Sequence, residues 1–340
     1  MAIILGIESS CDETGVAIYS HENGLIANKI YTQIPLHQEY GGVVPELASR
    51  DHIKRIIPLI DEAIKEANIN KTDINAISYT NGPGLNGALL VGSGVAVSIG
   101  YALNIPVIPI HHMEGHLLST LLSDDNIEAP FIALLVSGGH SQIIKVTQIG
   151  EYELIGDTLD DAAGEAFDKT AKMLGLPYPG GKYIAELALK AKHDIYNLPR
   201  PMLHSKDLQM SFSGLKTAVL TLINTLTKNQ TILDEATKAN LSLSIEEAIT
   251  DVLVSKIELA SKITGIKKVV ISGGVSSNLK LRNKFDKISQ LKTYYPPLKF
   301  CTDNGAMIAI AGAIRYNLRK YDYKFNVKPR FKLTELDKIP

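Results

Sequence analysis

Residues 3–19, IILGIESSCDETGVAIY, decide the fold. The apolar run Ile3–Glu8 reads as a buried strand, residues 9–15 as a polar turn and residues 16–19 as a returning strand, so the stretch predicts a β-hairpin. The pattern recurs 128 positions later, where Phe131–Val136 is apolar, Ser137-Gly138-Gly139-His140 is a small polar turn and residues 142–146 return. Two such hairpins, each followed by alternating helix and strand patterns, point to an internally duplicated α/β protein with a cleft between its halves; coincidence is the alternative.

Composition bounds the rest. With 340 residues, 45% apolar and 21% charged, the chain suits a folded globular protein of about two domains. Its net charge of −1 means that any nucleic acid must be gripped by a local basic surface. Two cysteines, Cys11 and Cys301, with no C-x-x-C pair, argue against a disulfide scaffold or a thiolate zinc site and suit a reducing, cytosolic setting. The N-terminus lacks a basic region and its apolar run is too short for a signal peptide, so export is not expected. Residues 74–113 carry no Asp, Glu, Lys or Arg, yet Asn86 and four glycines within 85–103 favour a closely packed core helix over a membrane span.

Helix signals fill the intervals. Pro45 is expected to begin a helix running through Leu47, Ile53, Ile57 and Ile60 to about Asn68, with Pro58 kinking or interrupting it. Asp161 is expected to cap a second that stops at Gly175, and Ser244 with Glu247 to form the capping box of a third that ends before Gly265. Residues 268–271 then read as a strand, and residues 272–278, SGGVSSN, as a glycine turn leading into a helix, a geometry that lets backbone N–H groups meet a phosphate.

The densest titratable cluster is residues 111–116, HHMEGH. On a helix His112 and His116 lie one turn apart, so both imidazoles can face one metal ion, or simply hydrogen-bond at a helix start. The motif is not H-E-x-x-H, because Glu114 stands two positions after His112 and the zinc-protease template loses its general base. Asp303, in CTDNGA, either caps a helix or completes a two-histidine, one-carboxylate site suited to iron or zinc. Glycine turns at Gly82-Pro83-Gly84, Ser137-Gly138-Gly139, Pro179-Gly180-Gly181 and Ser272-Gly273-Gly274, together with Asp12, Asp168 and Asn278, favour a nucleotide cleft without matching a Walker or dinucleotide fingerprint. Near the C-terminus Arg315, Arg319, Lys320, Lys324, Lys328, Arg330 and Lys332 interleave with tyrosines and phenylalanines against a single acid, Asp322; this is either a solvated face or an RNA contact.

Taken together, GIESSCDETGVAIY, YGGVVPELASRDH, GPGLNGALLVG, HHMEGH, LLVSGGHSQ, DDAAGEAFDKTAKMLGLPYPGG, FSGLKT, SGGVSSN and CTDNGAMIA resemble, in order, the universal family of tRNA threonylcarbamoyladenosine synthesis proteins once called O-sialoglycoprotein endopeptidase. The resemblance spans about residues 3–330 and implies the duplicated two-lobed fold of actin, sugar kinases and Hsp70 ATPases. On that scheme residues 1–125 form the N-terminal lobe, 126–325 the C-terminal lobe and 326–340 a tail. It implies transfer of the threonylcarbamoyl group of threonylcarbamoyl-AMP to N6 of the adenosine 3′ of the anticodon, in tRNAs reading codons that begin with A. The implied metal ligands are His112, His116 and Asp303, holding one divalent ion, Fe(2+) in preference to Zn(2+). Implied substrate contacts fall on Leu135, Val136, Ser137, Gly138, Gly139, Asp168, Gly181 and Asn278, with Asp12 as a catalytic candidate that could equally shape the hairpin. Several relatives carry an acid where this chain has Ala185, which puts one ribose contact in doubt. Implied partners are tRNA, an inactive TsaB-like paralogue of the same fold and a TsaE-like P-loop ATPase, with no membrane, in the cytoplasm. The rival readings are a metalloprotease, a sugar kinase or chaperone-like ATPase, and a non-catalytic scaffold paralogue.

Overall fold

Both predicted hairpins form, and each opens a five-stranded sheet. The structure is a computed structural model that describes residues 2–123, 127–191, 193–227 and 233–339. In chain order the strands and α-helices are β1 (Ile3–Glu8), β2 (Glu13–Ser20), β3 (Gly24–Thr32), α1 (Ile34–Gln38), α2 (Pro45–Ala67), β4 (Ala76–Gly82), α3 (Asn86–Leu103), β5 (Val107–His111) and α4 (His112–Leu118). There follow β6 (Phe131–Val136), β7 (Ser141–Gln148), β8 (Glu151–Asp157), α5 (Ala163–Met173), α6 (Gly180–Ala188), α7 (Ser213–Leu226), α8 (Glu235–Thr264), β9 (Lys268–Ser272), α9 (Leu279–Asp286), β10 (Lys292–Tyr294) and α10 (Gly305–Ile314). The sheet orders, β3-β2-β1-β4-β5 and β10-β9-β6-β7-β8, follow the same connection rule read in opposite directions. In each, the first strand pairs antiparallel with the second and parallel with the fourth.

The chain divides into two units: Met1–Ile127 with Gln148–Tyr152 and Pro296–Pro340, and Glu128–Thr147 with Glu153–Tyr295. The expected lobe boundary between 125 and 126 lies outside the described residues. Residues 296–325, assigned to the second lobe from the sequence, instead pack in the first unit, because α10 is buried from Gly305 to Ala313 and lies on β1 and β2.

That packing explains the continuous apolar run of β1, which is covered on both faces. Leu5 and Ile7 join a cluster with Ile56, Ile60 and Ala96 of α2 and α3, and on the other side Ala17 meets Ala306 and Ala309 of α10. Gly6 is required there, since a Cβ at that position would stand 2.5 Å from the Ala309 nitrogen. Fully burying an Ile or Leu side chain stabilises by roughly 1.5–3 kcal/mol, and β1 buries Ile4, Leu5 and Ile7 completely. In the second unit β6 supplies Ile132, Leu134 and Val136 to a core shared with Phe167, Phe212 and Ile245.

Several local expectations change in the tertiary setting. α2 runs unbroken through Pro58, which is exposed, as is Lys54, whose carbonyl the proline leaves without a donor and which water can therefore satisfy. Ile53 and Ile57 face outward on α2 rather than into the core. α5 starts after Ala162, not at Asp161, whose carboxylate is drawn to Lys169 and Lys216. α8 is capped by Asp234, ten residues before Ser244; the Ser244 hydroxyl donates to Asp194 from mid-helix. α3 is long and apolar enough to cross a membrane by length and composition, and it packs against α2 and β4. Gly87, Gly92 and Gly100 allow that approach, facing Ser49, Ser9 and Val107 where a Cβ would collide.

Candidate metal centre

In the first unit β1, β4 and β5 run parallel, so Glu8, Gly82 and His111 leave the sheet at one edge. His111 ends β5 and caps α4, its Nδ1 accepting from the Met113 amide at 3.1 Å. α4 therefore begins at His112, which places His116 one turn on, and the two rings meet edge-on with centroids 4.7 Å apart. Asp303 is not a helix cap. That role belongs to Asn304, whose Oδ1 accepts from the Met307 amide at 3.0 Å, and the adjacent Asp303 carboxylate is turned to the histidines. Its Oδ1 stands 3.0 Å from His116 Nε2 and 3.6 Å from His112 Nε2, and the three donor atoms lie within 4.8 Å of one another.

These separations suit an ion. Metal–ligand bonds of about 2.0–2.2 Å set neighbouring donors roughly 3–3.6 Å apart. Two imidazoles and one carboxylate are a donor set that leaves coordination positions open to substrate.

Glu8, which sequence reasoning passed over, completes the centre. Its Oε2 lies 3.2 Å from His112 Nδ1 and accepts from the Thr80 hydroxyl at 2.6 Å, while Oε1 accepts from the Ser10 amide at 2.6 Å. A carboxylate can only accept, so His112 Nδ1 carries a proton toward Glu8, and Nε2, which faces Asp303, is the nitrogen left to bind an ion once its own proton is displaced. Burial opposes charge on His112, but Asp303 and Glu8 outweigh it and push the imidazole up to about 9. Burial likewise lifts Glu8, yet the His112 charge and hydrogen bond hold it below the usual carboxylate range. A fully buried Glu8 and a largely buried Asp303 around two imidazoles thus favour a bound positive charge. The signal available in the sequence was an acid ending an otherwise apolar strand.

Two further acids resolve differently. Glu114 is fully buried and faces Arg315, which donates from Nε at 2.5 Å and Nη2 at 2.8 Å, while the Tyr152 hydroxyl donates at 2.7 Å. A carboxylate engaged in this way is not placed to act as a general base, so Glu114 does not supply the base that the zinc-protease template lacks here. Asp12 is buried beside Glu13, and burial followed by the charges of Asp12 and Asp303 pushes Glu13 well above the usual carboxylate range. Asp12 stays outside the three-residue donor group.

In the second unit β6 and β9 are parallel and end together at Val136 and Ser272. Leu135 and Val136 are fully buried and expose no surface to a ligand, so they act as the support beneath the turn that follows. Gly138 and Gly139 are exposed, and a Cβ on either would meet nothing within 4 Å. The Ser137 hydroxyl accepts from the His140 amide at 3.2 Å. Behind the turn, the Ser137 carbonyl lies against Gly164 of α5 and the Val136 carbonyl against Gly273, whose φ of +91° favours glycine. Asp168 on α5 accepts from the Gly180 amide at 2.7 Å and so fixes the turn before Gly181. Asn278 caps α9 through Oδ1 and donates from Nδ2 to Glu246 at 2.7 Å. Ala185, on α6, offers no polar side-chain atom.

A profile of the TsaD family, described as tRNA N6-adenosine threonylcarbamoyltransferase, matches residues 24–310. The chain belongs to that family. It is 54% identical to the tRNA N6-adenosine threonylcarbamoyltransferase of Chromobacterium violaceum over 340 residues, covering 99% of this chain and 100% of that protein. With the namesake from Herminiimonas arsenicoxydans it shares 55% over 344 residues, again covering 99% and 100%. Among solved structures it is similar to component A of the Acidaminococcus fermentans (R)-2-hydroxyglutaryl-CoA dehydratase, with a TM-score of 0.54, 16% identity and coverage of 91% of this chain and 97% of that one. Full-length HypF in its phosphate- and nucleotide-bound form gives a TM-score of 0.60 and 14% identity over 92% of this chain and 46% of that one. These likenesses show the fold, that of the actin, sugar kinase and Hsp70 ATPase class. For a threonylcarbamoyltransferase family member, the His112, His116 and Asp303 group supports a metal cofactor.

Proposed function

We propose that this chain transfers the threonylcarbamoyl group of threonylcarbamoyl-AMP to N6 of the adenosine immediately 3′ of the anticodon, in tRNAs reading codons that begin with A. The observation that carries the reading is the convergence of His112 Nε2, His116 Nε2 and the Asp303 carboxylate in a chain of this family. These three residues hold one divalent ion, iron in preference to zinc, which when bound supplies Lewis-acid polarisation to oxygens that gain charge during acyl transfer.

The donor is a mixed anhydride, already activated, so the residues chiefly orient it and its acceptor. The bond from N6 to the carbamoyl carbon forms, the carbon–oxygen bond to phosphate breaks, and the N6 proton is lost as AMP leaves. Backbone amides at Ser137, Gly138 and Gly139 approach the phosphate or acyl oxygen, Leu135 and Val136 support that turn from beneath, and Asp168, Gly181 and Asn278 hold the nucleoside. Among the described residues no side chain is set up as a covalent nucleophile, since Cys11 is pushed well above its ordinary value, first by burial and then by Asp12 and Asp303. Asp12 orients the ion or receives the proton, or else shapes the hairpin between β1 and β2.

By family resemblance the working assembly includes a TsaB-like inactive paralogue and a TsaE-like P-loop ATPase, in the cytoplasm. The test is reconstitution: purified chain of assayed metal content, synthetic donor and unmodified tRNA, with and without those partners, followed by nucleoside mass spectrometry. Threonylcarbamoyladenosine that disappears with His112→Ala and His116→Ala supports the assignment; product formation indifferent to both changes sinks the metal roles.

A further inference from the structure

The basic, aromatic segment after α10 has no part in the chemistry above. Arg315 is drawn inward by Glu114, but the next six cations, Arg319, Lys320, Lys324, Lys328, Arg330 and Lys332, are all exposed. Among the described residues none of the six forms an ion pair with a carboxylate. Asp322, the one acid between Arg315 and Lys332, accepts from the backbone amide of Lys324 at 3.2 Å. Tyr321 and Phe325 present 60% and 38% of their surfaces to solvent between these charges. In a chain of net charge −1 this is a marked local excess of positive charge.

The backbone beneath it is fixed, and its Lys328–Phe331 part is fixed beside the metal centre. Lys320 exchanges hydrogen bonds with Val107 of β5 at 2.9 and 3.1 Å. The Lys328 amide donates to the Asn81 carbonyl at 2.8 Å, and the Gly84 amide donates to the Pro329 carbonyl at 3.2 Å. Gly82, with φ of +148°, makes room for the Lys328 carbonyl, where any Cβ would collide. His111, the residue before the ligand His112, donates from Nε2 to the Phe331 carbonyl at 3.1 Å and packs its ring against Phe331 with centroids 4.6 Å apart. Val327 and Leu333 are buried and anchor the segment on either side. The strap's main chain is thus bonded to the start of β5 at Val107, to the end of β4 at Asn81 and to the end of β5 at His111, and exposed cations run along it, with Arg319 over the Tyr316 ring and Lys328 over the Phe331 ring.

We propose that residues 316–332 form the surface on which the anticodon stem-loop of the substrate tRNA lies. The phosphates rest against Lys324, Lys328, Arg330 and Lys332, and unpaired loop bases stack on Tyr321 and Phe325. The proposal rests on the reading that tRNA is the acceptor, and it adds where the acceptor docks.

The test uses the full chain and two triple variants: Lys328→Ala with Arg330→Ala and Lys332→Ala in the strap, and Lys262→Ala with Lys267→Ala and Lys287→Ala, exposed lysines of the second unit, as an equal-charge control. Fluorescence anisotropy of labelled, unmodified tRNA is followed over a salt series. Each lost phosphate contact lowers the slope of log affinity against log salt by about 0.7–0.9, so the strap variant is expected to lose about 2–3 units of slope. Its KM for tRNA should rise on the order of 10-fold, with kcat, donor KM, metal content and melting temperature unchanged, and the control should match wild type. Arginine in place of Lys328 and Lys332 should retain binding. An unchanged slope in the strap variant, an equal loss in the control, or no salt-dependent tRNA binding by wild type overturns the proposal. Strap-dependent binding without any transfer would leave the docking surface standing and refute the proposed activity instead.

Discussion

Arg315 closes on Glu114 through two parallel hydrogen bonds, Nε to Oε2 at 2.5 Å and Nη2 to Oε1 at 2.8 Å, and Glu114 stands on α4 between the two histidines of the metal centre. Arg315 also donates to the Asp337 carbonyl at 2.9 Å, so one guanidinium ties the metal-bearing helix to the C-terminal segment. Both side chains are almost wholly buried. Removing one partner leaves an uncompensated charge in the interior, at a cost of about 3–5 kcal/mol. Arg315→Met should therefore lower the denaturant midpoint strongly, Tyr152→Phe should cost about 1 kcal/mol, and Glu114→Gln combined with Arg315→Met should recover part of the loss. Equilibrium unfolding in urea checks all three, and an unchanged midpoint in Arg315→Met would refute the clamp.

Glu8 acts on the metal through His112. Changing a residue that orients a ligand imidazole typically lowers metal affinity 10–100-fold. Glu8→Gln, with volume kept, should do so while His112 and His116 remain in place. Competition of iron and zinc against a chromophoric chelator provides the measurement, and wild-type affinity in that variant would show that Glu8 does not set the tautomer.

Asn278 uses both ends of its amide, Oδ1 on the Leu281 amide of α9 and Nδ2 on Glu246. Asn278→Ala should cost about 1 kcal/mol as a lost helix cap and raise the KM for the adenylate donor without altering that for tRNA. Glu246→Ala should raise donor KM less, because the cap survives. Steady-state kinetics with each substrate varied in turn separates the two effects, and equal KM shifts for donor and tRNA would contradict this placement.

Lys280 and Lys284 of α9 both reach Glu247 of α8. Burial alone would lift the Glu247 pKa, but hydrogen bonds from the two lysines hold it below its ordinary value of 4.5. A carboxylate depressed in the folded state contributes stability above its unfolded pKa, and that contribution fades as pH falls through the folded value. The second unit should therefore lose stability between about pH 5 and the lowered folded value, and Glu247→Gln should flatten that limb. Denaturant melts from pH 7 to pH 3 give the comparison; an unflattened limb in Glu247→Gln assigns the acid sensitivity to other carboxylates.

The sequence by itself determined the hairpins, their repetition and hence the duplicated architecture, because a strand buried on both faces needs an unbroken apolar run and a turn needs small polar residues. It also placed His112 and His116 one helical turn apart, since that spacing follows from helix geometry wherever the helix sits. What it left open was settled by residues distant along the chain. Whether Asp303 caps α10 or joins the histidines was undecidable from CTDNGA; with α10 packed on Gly6 and Ala17, Asn304 takes the cap and Asp303 faces the histidines. Asp161 and Ser244 look like caps only until Lys216 and Asp194 are seen beside them. Glu8 and Glu114 were an acid at a strand end and an acid in a motif; His112 and Arg315 gave one a role at the metal centre and the other a role in the buried clamp. Local pattern is governed by backbone periodicity and is legible along the chain, whereas the partner of a buried charge is selected by three-dimensional proximity, which no spacing in the sequence encodes.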